Sequence, residues 1–133
     1  MDIRHYYIES GHGDPIIFLH GNGESCEYFR EQMDAFAKRF HVYALDTRGY
    51  GKTPRGEKPF TIRQFAEDLL CFMDEHKIEK THLLGFSDGG NIAMVFAMQY
   101  PERVDRLVLN GANLDPAGGT KGNTRKDAGH CRN

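Results

Sequence analysis

No run of apolar residues in this chain approaches the roughly 20 that a bilayer-spanning helix requires. A membrane partner is therefore not expected. Cysteine is scarce: Cys26, Cys71 and Cys131 are odd in number and match neither zinc-ligand nor redox spacing, which argues against a disulfide framework and a metal centre. Lys and Arg form no cluster outside the C-terminal tail and the formal net charge is -2, so there is no basic footprint for nucleic acid or anionic lipid. The opening Met1-Asp2-Ile3-Arg4-His5 lacks the apolar core of a secretory signal, which makes a cytoplasmic protein with reduced thiols the expectation. What remains is 133 residues, 39% of them hydrophobic, enough for one packed domain that takes a small neutral molecule.

Strand and helix signals alternate along this chain. Arg4 to Glu9, carrying Tyr6, Tyr7 and Ile8, reads as a strand that stops at the turn signal Ser10-Gly11-His12-Gly13-Asp14-Pro15. Ile16 to Leu19 and Val42 to Leu45 are short runs apolar on both faces, as strands inside a parallel sheet are. Between them Phe29, Met33, Phe36, Ala37 and Phe40 recur at helical spacing and form one apolar stripe. Thr61-Ile62-Arg63-Gln64 is a capping box, followed by Phe65, Leu69, Phe72 and Met73 on a helix that reaches about Lys77. His82 to Phe86 reads as a strand, Asn91 to Tyr100 as a helix stopped by Pro101, and Arg106 to Asn110 as a final strand. This order predicts an α/β fold: a mainly parallel sheet of about five strands with flanking helices. From 115 to 133 there is no aromatic residue and no Val, Ile, Leu or Met, while Gly118, Gly119, Gly122 and Gly129 accumulate. That composition predicts a disordered tail after a core of residues 1–114.

Gly85-Phe86-Ser87-Asp88-Gly89-Gly90 falls between a predicted strand and a predicted helix, the context in which G-x-S-x-G forms a nucleophile elbow. Ser87 would then stand on a tight turn whose neighbours, Gly85 and Gly89, let other backbone pass close by. The helix after Ser87 points free N–H groups and the positive end of its dipole at the reacting centre, which favours an oxyanion. His20-Gly21-Asn22-Gly23 ends an earlier strand where a second oxyanion donor would sit, so the backbone N–H groups of Asn22 and Asp88 are the expected oxyanion hole. The loop Asp46-Thr47-Arg48-Gly49-Tyr50-Gly51-Lys52-Thr53 reads as a structural turn pinned by Asp46 and Arg48.

With H-G, D-x-R-G-x-G and G-x-S-x-G in this order, the chain resembles the α/β-hydrolase superfamily over about residues 4 to 115. Within it, Gly85 to Ile92 and Asn110-Gly111-Ala112-Asn113 are most similar to valacyclovir hydrolase-type esterases. The resemblance implies a serine hydrolase of ester or amide bonds that needs no cofactor. It disfavours the dehalogenase and epoxide hydrolase branches, whose nucleophile is a carboxylate. It also implies a substrate-binding role for Asp88 toward an amino group, although a carboxylate favoured by the helix dipole is the preferred reading of that residue. His20 is implied to be structural.

By the same resemblance the five strands correspond to the second through sixth of eight, and the acid, the base and the cap come later than the last of them. A serine hydroxyl is a weak nucleophile until a histidine takes its proton, and His130 and Asp115 lie in a tail without apolar anchors to hold them near Ser87. The expectation is an incomplete α/β-hydrolase fold with impaired activity, prone to self-association through the exposed edge at Leu107 to Leu109. Two alternatives stand beside it. One is a truncated or frameshifted non-catalytic product, or a binding protein on a hydrolase scaffold, since the hydrophobic pattern ends after Leu114. The other is a dinucleotide-binding domain, since Gly21-Asn22-Gly23 follows one strand and Asp46 ends the next, although Cys26 replaces the third glycine.

Overall fold

The computed structural model describes residues 3–21 and 25–110. The expected oxyanion donor Asn22 and the expected tail of 115–133, with Asp115 and His130, lie outside these residues. The elements are β1 (Tyr7–Ser10), β2 (Asp14–Leu19), α1 (Arg30–Phe36) behind a 3-10 turn at Cys26–Phe29, β3 (Phe40–Leu45), α2 (Ile62–Glu75), β4 (Thr81–Phe86), α3 (Asp88–Gln99), and β5 (Val104–Asn110) behind a second 3-10 turn. They form one five-stranded sheet in the order β1-β3-β2-β4-β5. β2 pairs with β3 and with β4, and β4 with β5, all in parallel, whereas β1 runs antiparallel to β3. The predicted mainly parallel sheet is thus observed.

Alternation along β2 and β3 sorts the core into two layers, because successive side chains of a strand point to opposite faces. Ile16, Phe18, Val42 and Ala44 meet Cys26, Phe29 and Met33 on the α1 side. Ile17, Leu19, Tyr43 and Leu45 meet α2 and α3 on the other, through Phe65, Leu69, Phe72, Ile92 and Phe96. The Thr61 side chain accepts a hydrogen bond from the Gln64 N–H at 3.1 Å and so caps α2 as its sequence predicts.

Several boundaries differ from the sequence expectation, and three of them have a plain physical reading. β1 starts at Tyr7 rather than Arg4. α1 ends at Phe36 although the apolar stripe continues to Phe40, because Phe40 is taken into β3, opposite Asp14 of β2. Its ring still packs against Phe36, with centroids 6.1 Å apart, so the helical periodicity reported a true contact made from a different element. α3 starts at Asp88 rather than Asn91, despite two glycines in its first turn. Both are buried against neighbouring backbone, and this packing outweighs their poor helix propensity.

Candidate active site

β4 delivers Ser87 directly from strand to helix. Ser87 adopts φ 58° and ψ -120°, one of two non-glycine residues at positive φ among those described, and its carbonyl already accepts from the Gly90 N–H at 2.8 Å. Such a conformation costs on the order of 1–3 kcal/mol and persists only where surrounding packing imposes it. That packing is visible in the flanking glycines. A Cβ on Gly85 would collide with the Gly89 carbonyl and the Gly90 Cα, and one on Gly89 with the carbonyls of Leu19 and His20. At Gly21 a Cβ would stand 3.1 Å from the Ser87 Cβ and 3.3 Å from the Phe86 oxygen. Gly21, two residues beyond β2, therefore lies beside the serine, where a larger side chain would crowd it. Asp88 opens α3, so its N–H is one of those that the helix cannot satisfy. Asp88 itself is half-buried in the first turn, where the dipole favours a carboxylate.

The loop behind β3 is held by buried polar bonds. Asp46 accepts from the Cys26 N–H at 2.6 Å and the Lys52 N–H at 2.7 Å, while the Thr53 hydroxyl donates to the Asp46 carbonyl at 2.7 Å. Gly51, at φ 54°, leaves the space that the Asp46 carboxylate occupies. Arg48 is fully buried and donates to Asp68 of α2 and to the Arg55 carbonyl. Asp46 and Arg48 thus act as turn pins, in line with their sequence reading. The sequence did not reveal the role of Thr47, whose N–H donates to His20 Nε2 at 3.1 Å. Tyr50, half-buried, sets its ring edge-to-face on His20 with centroids 5.4 Å apart. Burial, and after it the Asp88 carboxylate, raises the Tyr50 phenol above its ordinary pKa.

None of the hydrogen bonds among the described residues sets an imidazole on the Ser87 hydroxyl. His5, His41, His76 and His82 bond or pack at other places, and His20 turns its Nδ1 to the Gly21 carbonyl and its Nε2 to Thr47. No cluster of three or more metal-ligating side chains occurs among the described residues. Nor is any helix among them long and apolar enough to cross a membrane.

Comparison with known proteins places this geometry in a family. The sequence profile of the alpha/beta hydrolase fold matches residues 14–126. A protein of Wickerhamomyces anomalus named "Probable alcohol acetyltransferase" is 35% identical over 109 residues, which cover 80% of this chain and 31% of that protein. Among solved structures, a meta-cleavage product hydrolase from Pseudomonas fluorescens superposes with a TM-score of 0.80 at 35% identity, over 83% of this chain and 42% of the other. An esterase from a marine microorganism superposes with a TM-score of 0.77 at 29% identity, over 80% and 41%. The chain therefore spans from 31% to 42% of the length of these relatives. The family match spans Gly21-Asn22-Gly23, so the alpha/beta hydrolase fold takes the place of the dinucleotide-binding alternative. With the strained serine, the glycines around it and this profile in agreement, the chain belongs to the α/β-hydrolase family.

Proposed function

We propose that Ser87 is the nucleophile of an ester or amide hydrolase, with the backbone N–H groups of Asp88 and Asn22 as its oxyanion donors. The observation that carries this reading is the strained Ser87 backbone beside Gly21, where a side chain at position 21 would crowd the serine, since strain of this kind is retained where exposing a hydroxyl serves a purpose. The substrate is a small molecule, and Asp88 is the candidate to receive a substrate amino group. Because no described histidine reaches Ser87, the activity of the chain is low: oxyanion stabilisation and binding alone sustain only part of a triad's rate. The same observation favours a second reading, a non-catalytic binding protein on a hydrolase scaffold. β5 forms one edge of the sheet with Val108 48% exposed, which supports self-association along that strand, to be read by gel filtration.

Hydrolysis of p-nitrophenyl acetate by the chain and by Ser87→Ala decides between the readings. Slow turnover above background that Ser87→Ala abolishes supports the hydrolase. Turnover unchanged by Ser87→Ala sinks it, and turnover indistinguishable from background in both favours the binding scaffold.

A further inference from the structure

A cleft of about 560 Å³ opens between the residues leading into β1 and the last turn of α2, within the roughly 300–1,000 Å³ of small-molecule sites. Gly21, Ser87 and Asp88 take no part in it. Two charges of opposite sign line the cleft: Arg4, ahead of β1, and Glu75, the last residue of α2. Both residues are exposed, and among the described residues neither side chain has an ion-pair or hydrogen-bond partner. His5, 7% exposed, lines the same cleft with its Nδ1 unpaired among the described residues. Buried polar atoms are nearly always paired, so the wall keeps hydrogen-bonding capacity that the chain does not use.

Each end of the cleft suits one sign of charge. α2 brings the negative end of its dipole to Glu75, and both favour a cation there. The rings of Tyr7, Phe72 and His76 stand in the same wall with neighbouring centroids 4.1 to 5.2 Å apart. They offer apolar surface to the body of a ligand and ring faces that attract an ammonium. Arg4 suits a carboxylate, whose two oxygens match the donor fork of a guanidinium. A plain cation would meet repulsion from Arg4, and a plain acid would meet it from Glu75 and the helix end; a molecule carrying both signs meets neither. We propose that this cleft binds a small zwitterion with an apolar body, such as a free α-amino acid bearing an aromatic side chain, its ammonium toward Glu75 and its carboxylate toward Arg4. The site is separate from the Ser87 centre and stands whether or not Ser87 is a nucleophile.

Three probes of one shape separate the charges: L-phenylalanine, phenethylamine, which lacks the carboxylate, and hydrocinnamate, which lacks the ammonium. The readout is the amide spectrum of the full chain, titrated with each probe into the millimolar range. Shifts are expected at Tyr7, Phe72 and His76, with L-phenylalanine bound about threefold to fivefold more tightly than either analogue, as exposed ion pairs allow. Arg4→Gln should bring L-phenylalanine down to the affinity of phenethylamine without weakening phenethylamine itself. Glu75→Gln should bring it down to that of hydrocinnamate without weakening hydrocinnamate. Unchanged amide shifts of Leu19 and Leu45 show that each variant keeps the sheet, as exposed positions predict. L-phenylalanine bound no better than its analogues, variants that weaken all three probes alike, or no shift with any probe overturn the proposal. Shifts confined to Ser87 and Asp88 overturn it too, and assign the zwitterion to the hydrolase centre instead. Shifts at Tyr7 and Phe72 that follow protein concentration and ignore every probe give the cleft to a second copy of the chain, and the zwitterion site falls.

Discussion

Arg48 donates to both oxygens of Asp68, through Nε and Nη2, each at 2.8 Å, with 0% and 2% of the two side chains exposed. The pair ties the loop behind β3 to α2, and Gln64 adds a third hydrogen bond to the same carboxylate at 2.9 Å. Removing one partner leaves a buried charge without its counter-ion, which typically costs about 3–5 kcal/mol. Arg48→Met should lower the unfolding free energy by about that amount in urea titration. The double variant Arg48→Met/Asp68→Leu should recover most of it. A single variant as stable as the parent would show that the pair is solvated in solution.

Ser87 carries a conformational cost that a glycine would not. Ser87→Gly should therefore raise stability by about 1–2 kcal/mol while removing the hydroxyl, an exchange of function for stability. Thermal unfolding measures it, and destabilisation would mean that the elbow is unstrained.

His5 is 7% exposed, its Nδ1 has no hydrogen-bond partner, and its ring lies edge-on to Phe72. Burial, opposed by the Asp68 carboxylate, lowers its pKa from 6.5 to about 4. The folded state thus prefers the neutral ring. Its contribution is fully present above pH 6.5 and is lost as the pH falls toward 4, by roughly 3 kcal/mol in total. His5→Leu should flatten the stability-versus-pH curve across that window while leaving the neutral-pH value within about 1 kcal/mol. A slope unchanged by the substitution would place the acid sensitivity elsewhere.

Cys26 is buried beside Asp46, and burial, with the Asp46 hydrogen bond second, pushes its thiol up to about 12. So little thiolate should leave Cys26 inert to iodoacetamide at pH 8 in the folded chain and reactive after denaturation. Peptide mass mapping checks this, and rapid native labelling would mean that the loop opens readily.

Much of this fold was legible because apolar residues alternate cleanly. Ile16 to Leu19 and Val42 to Leu45 could hardly be anything but buried strands, and the glycines around Ser87 announced a tight turn. The direction of β1 was not legible, since an edge strand shows the same alternation whichever way it runs. Asp68 left a signal that could have been used: it interrupts the apolar stripe of Phe65, Leu69 and Phe72, and a charge in such a place calls for a buried partner. The bond from Thr47 to His20 left none, because 27 residues separate the two and only the pairing of β2 with β3 brings them together.

The fit of Gly89 against the Leu19 and His20 carbonyls has a consequence in time. β2 lies at the middle of the sheet, and the elbow cannot close until β2 is there to receive it. During synthesis at roughly 5–20 residues per second, β2 emerges several seconds before Gly89 does. For that interval Ile16 to Leu19 can pair only with β3, and their other edge waits for β4. The serine turn is thus among the late features of the chain to be born, and its strain is loaded only after the sheet that bears it exists.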